Sequence, residues 1–131
     1  CFFLGARQAV QGKRLQDIGH AIQTMAESHG YGVVRELVGH GIGREMHEEP
    51  SVPNYGKAGQ GVRLREGMTL AVEPMIAMHS PAVQELSDGW TVVTIDQSPC
   101  SHYEHTLVIN DHGLPELLSY PGYVFTEVDR A

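Results

Sequence analysis

Apolar positions recur along the chain in two rhythms, and the change from one to the other divides it. Phe2, Phe3, Ala6, Ala9 and Val10 fall at helical spacing, which predicts a first helix over 2–10, ended by Gly12. Leu15, Ile18, Ala21, Ile22, Met25 and Ala26 make a stronger stripe at the 3.6-residue period, so a second helix is predicted there. Gly30 fits its stop, with His29 solvated in the last turn.

Beyond Tyr31 the pattern changes to short apolar runs and period-two alternation. Strands are predicted over Val33–Val38, Thr69–Met75, Trp90–Ile95 after the Asp88-Gly89 turn, and His102–Asn110, with a last short one in Pro115–Ser119. Pro50, Pro53, Gly56, Gly59, Gly61 and Gly67 mark 50–67 as a long surface connection. Helices followed by turn-connected strands predict an α+β fold with a mainly antiparallel sheet.

Composition narrows the function classes. A chain of 131 residues, 41% apolar and 19% charged, is about one domain with a core of its own. No run approaches the roughly 18 apolar residues of a membrane helix, so no membrane partner is expected. Nine basic residues against 16 acidic ones give a net charge of −7, which opposes nucleic-acid binding. Cys1 and Cys100 supply no disulfide framework and suit a reducing cytosol. The glycine-rich run Gly39-His40-Gly41-Ile42-Gly43 opens no helix, so a nucleotide-binding loop is not expected.

Four segments carry candidate chemistry. In the first, glycines flank His40 and allow other groups close to its imidazole, with His47 seven residues on. In the second, Glu73 ends the apolar run Met68–Val72 and needs a cation, a donor or a metal if it is buried. In the third, alternation over His102–Ile109 places His102, Glu104, Thr106 and Val108 on one face and Tyr103, His105, Leu107 and Ile109 on the other. Glu104 is there expected mid-strand on a mostly buried sheet. Two carboxylates and a histidine on separate strands fit a divalent-metal site if they converge. In the fourth, Asp88-Gly89-Trp90 launches a strand with the chain's one tryptophan, which as a residue type is more often a core anchor than a pocket wall.

Taken together, Gly-His-Gly-Ile-Gly, His-Glu-Glu-Pro, Gly-Met-Thr-Leu-Ala-Val-Glu-Pro-Met, Asp-Gly-Trp and Tyr-Glu-His-Thr resemble the methionine aminopeptidases in order and spacing. The short stretch between Glu73 and Glu104 resembles the type I enzymes. The resemblance implies the C-terminal half of a pita-bread fold, with two helices packed on a curved, mainly antiparallel sheet. It also implies a cofactor of two divalent ions (Co, Mn, Fe or Zn), ligated here by His40, Glu73 and the bridging Glu104. His47 matches the histidine that contacts the scissile amide, and Glu73 a proton shuttle. Trp90 and Met46 match positions at the methionine side-chain pocket, where Met46 replaces a usual aromatic residue.

The implied reaction is removal of the initiator methionine from the N-terminus of nascent polypeptides in the cytoplasm. The resemblance also implies two aspartate ligands and a histidine from a first half. None of Asp17, Asp88, Asp96, Asp111 and Asp129 sits in the pattern for that pair. The chain, residues 1–131, is therefore expected to be one domain fragment, inactive alone, with an exposed half-domain face prone to self-association. The alternatives from other classes are a non-catalytic protein-interaction module and a mononuclear metal-binding domain.

Overall fold

The structure, a computed structural model, describes residues 1–111 and 113–126. Helix α1 spans Phe2–Ala6 and helix α2 spans Leu15–Ser28. The expected first helix is cut short because the amides of Gln8, Ala9 and Val10 turn back to Gly5, Ala6 and Gln8, a winding tighter than α. In α2 the expected stripe is present: Leu15, Ile18, Ile22 and Ala26 are buried. Asp17 Oδ2 accepts the Arg14 amide at 2.8 Å to start the helix. Its end is closed by the Tyr31 amide on the Ala26 carbonyl, with Gly30 at φ 80° as the left-handed residue. His29 is exposed there, as expected.

Among the described residues ten short strands follow: β1 Gly32–Val33, β2 Gly39–Gly41, β3 Glu48–Val52, β4 Thr69–Val72, β5 Met75–Ala77, β6 Val83–Glu85, β7 Val92–Thr94, β8 Cys100–His102, β9 His105–Val108 and β10 Glu116–Leu117. They form sheets of order β10-β9-β4-β2-β3 and β1-β5-β8 and a β6-β7 hairpin, and every pair described is antiparallel. The α+β expectation holds. Asp129 lies outside the described residues.

Several boundaries differ from the sequence pattern. The predicted Val33–Val38 strand stops at Val33, because the chain bends at Glu36 and Leu37 and restarts as β2. The Gly-His-Gly run is thus a strand. It accepts only glycine at position 39, since a Cβ there would collide with the Ala71 carbonyl. The connection 50–67 begins inside β3, which pairs with β2. Thr69–Met75 divides into β4 and β5 at Glu73-Pro74, where proline has no amide for the ladder. His102–Asn110 divides into β8 and β9 at Tyr103-Glu104, so Glu104 is an exposed residue in a break rather than a buried mid-strand one. Trp90 is 85% exposed near the tip of the β6-β7 hairpin, which corrects its reading as a core anchor. The Asp88 carboxylate, which accepts the Trp90 and Thr91 amides, organises that tip.

The period-two alternation sorts the large sheet into two faces. Leu70 and Val72 of β4 and Leu107 of β9 join Ile18 and Ile22 of α2 in one apolar cluster. Each such fully buried side chain contributes roughly 1.5–3 kcal/mol. The opposite face, through His40 and Ala71, is left for polar chemistry.

Gly39→Ala should lower stability by about 1–3 kcal/mol, because the carbonyl it meets belongs to the central strand and cannot yield. Urea unfolding measures this; an unchanged midpoint would contradict the packing described.

Candidate metal centre

Ladder register decides which side chains meet. In β4-β9, Val72 lies opposite His105; in β5-β8, Met75 lies opposite His102. The same register therefore runs through both ladders, and across the break it sets Glu73 opposite Glu104. The Tyr103 amide bridges the break to the Pro74 carbonyl at 3.3 Å. On the other flank of β4, His40 of β2 lies opposite Ala71, two residues before Glu73 and on its face.

His40, Glu73 and Glu104 consequently offer ligand atoms that all lie within 4.8 Å of one another. His40 Nε2 stands 3.4 Å from Glu73 Oε1. Its Nδ1 is 2.8 Å from the Gly41 carbonyl, which can only accept, so Nδ1 donates there and Nε2 is the nitrogen turned to Glu73. One imidazole nitrogen and two carboxylates of like charge make a donor set that a divalent cation would neutralise. The residues fit a metal.

Glu73 is nearly enclosed, its side chain 13% exposed. Burial, and then the charge of Glu104, push its carboxyl above the usual carboxylate range, while His102 and His40 pull the other way. His102 Nε2 stands 3.1 Å from Glu73 Oε2. Sequence reasoning put His102 on the same face as Glu104 but gave it no role. It also passed over Asn54, a fully buried side chain whose Nδ2 donates to the Glu73 main-chain carbonyl at 3.2 Å. The only signal of Asn54 was a polar residue inside a proline- and glycine-rich connection.

The other expected site residues are less gathered. His47 packs its ring 4.3 Å from that of His40 but lies outside the group of three. Met46 is 70% exposed, and neither it nor Trp90 belongs to that group. A groove of about 740 Å³ opens beside His102, walled by Val34, Leu37, Met75, Leu86 and Val92. It is large enough for a small ligand or a short peptide segment.

A family model for metallopeptidase family M24 matches residues 3–111. The chain is 56% identical over 118 residues to a methionine aminopeptidase of Clostridium acetobutylicum, covering 90% of this chain and 47% of that protein. It is 49% identical over 111 residues to methionine aminopeptidase 1 of Bacillus subtilis, covering 85% and 45%. Its structure is similar to the methionine aminopeptidase of Rickettsia prowazekii, with a TM-score of 0.88 at 42% identity over 91% of this chain and 48% of that one. The prolidase of Pyrococcus furiosus, at 21% identity and a TM-score of 0.59 over 91% of this chain and 30% of that one, shares the fold alone. The chain spans about half the length of the curated relatives it matches.

Because the folded state favours protonated Glu73, the metal-free protein should lose stability as pH rises above the ordinary carboxylate value towards that of folded Glu73. Thermal melts in chelator should therefore show the wild type and Glu73→Gln diverging over this window, with the wild type melting progressively lower relative to the variant. A gap independent of pH would refute the assignment.

Proposed function

The chain belongs to metallopeptidase family M24, and from that premise we propose that it is the C-terminal half of a methionine aminopeptidase catalytic domain. The reaction is hydrolysis of the first peptide bond of a nascent polypeptide, releasing its initiator methionine in the cytoplasm. The observation that carries the reading is the convergence of His40, Glu73 and Glu104 within 4.8 Å in a chain 56% identical to a methionine aminopeptidase.

In this reading His40, Glu73 and Glu104 would hold divalent metal. Cobalt, manganese, iron and zinc all accept such a mixed set. The metal supplies Lewis acidity and a water acidified enough to attack at neutral pH. His40 orients its Nε2 through the Gly41 carbonyl. Glu73, with its raised proton affinity, is suited to take a proton at a carboxylate oxygen and return it. His47, beside His40, contacts the scissile amide. Met46 and Trp90 meet the methionine side chain with apolar surface that is free to take a ligand.

Three of the five ligands implied by the family resemblance should bind metal weakly, so the chain by itself is expected to be inactive. Exposed Tyr31 and Met78 beside a second apolar cleft support its self-association when alone.

Joined to an N-terminal segment that brings it to the length of its relatives, the protein should release methionine from a Met-Ala-Ser peptide only with divalent metal added. Glu104→Gln should reduce that release by more than about a hundredfold. Undiminished turnover in this variant would refute its role. One bound ion without peptidase activity would favour the mononuclear reading.

A further inference from the structure

We propose that His102 is a positioning residue for Glu73: its imidazole holds Oε2 by a hydrogen bond, leaving Oε1 for a metal ion. The inference rests on the ligand assignment above and deepens it. His102 ends β8 and pairs with Met75, which brings its ring alongside Glu73 across the strand break. Two different imidazoles address the two carboxylate oxygens. His102 Nε2 is 3.1 Å from Oε2, and His40 Nε2 is 3.4 Å from Oε1. A glutamate that ligates a metal is ionised and only accepts, so in that state His102 Nε2 carries the hydrogen and donates. A glutamate's terminal torsion is broad and roughly two-fold, so an unheld carboxylate exchanges its oxygens freely. The bond from His102 removes that freedom at the oxygen turned away from His40. His102 lies outside the group of three whose ligand atoms converge, and its side chain is 50% exposed against 13% for Glu73. It therefore reaches in from the wall of the adjoining groove without being part of the cage.

The test is isothermal titration of the 131-residue protein with manganese, together with cobalt(II) absorption spectra, for the wild type, His102→Ala and His102→Gln. Because the ring is half exposed, its removal leaves no buried cavity, and a thermal melt checks that each variant is folded. His102→Ala should bind about 10–100-fold more weakly. His102→Gln should recover most of that loss, since its amide also donates, and should keep the wild-type cobalt bands because the ligands are unchanged. Unchanged affinity in His102→Ala would overturn the role. So would a glutamine variant as weak as the alanine one with shifted cobalt bands, which would make the imidazole itself a ligand. Because the chain alone is expected to bind weakly, the titrations are carried to a large excess of manganese; absence of binding by the wild type there would instead overturn the ligand assignment, and the role of His102 with it.

Discussion

Two glutamates set opposite one another across an interrupted antiparallel ladder are the constraint on which the rest of the site depends. Like charges in directly opposed positions destabilise a sheet, and one of this pair is almost enclosed. A fold retains such a pair when something positive lies between or beside it. Here the local response is already visible. Both strands break at the pair, at Glu73-Pro74 and Tyr103-Glu104, so the carboxylates leave the ladder without losing the register that aligns them. Histidines approach Glu73 at both of its oxygens.

The surroundings of the pair follow from the same constraint. Its backbone is fixed from below by buried Asn54, which donates to the Glu73 carbonyl. β2 lies beside β4 closely enough that position 39 has no room for a side chain. The opposite face of the sheet buries Leu70, Val72 and Leu107 against α2. The core thus fixes the strands, the strands fix the register, and the register fixes which charges meet.

Much of this was legible in the chain. The α2 stripe, the antiparallel character and the two-faced alternation from His102 to Ile109 all follow from spacing, and the alternation survives the strand break. Tyr103 and His105 pack their rings on Phe2 of α1, as that pattern requires. His40, Glu73 and Glu104 were identifiable as candidates, although the residues alone left their convergence open. What escaped was set by partners distant in sequence. β2 is a glycine-rich run with no strand pattern of its own until β3 and β4 flank it. The breaks at 73–74 and 103–104 lie inside apolar or alternating runs that read as continuous. His102 and Asn54 acquire meaning only once Glu73 stands beside them. Trp90 is misread for the opposite reason: its residue type favours burial, but the Asp88 turn carries it to an exposed hairpin tip.

The family relationship gives this geometry its chemical reading, and the central claim is that the opposed glutamates and His40 form a cation site. Anomalous diffraction from crystals soaked in manganese tests it most directly. The account predicts an anomalous peak at about 2.0–2.2 Å from His40 Nε2 and from oxygens of Glu73 and Glu104. Absence of a peak there at saturating manganese, or a peak held by other side chains, would contradict it.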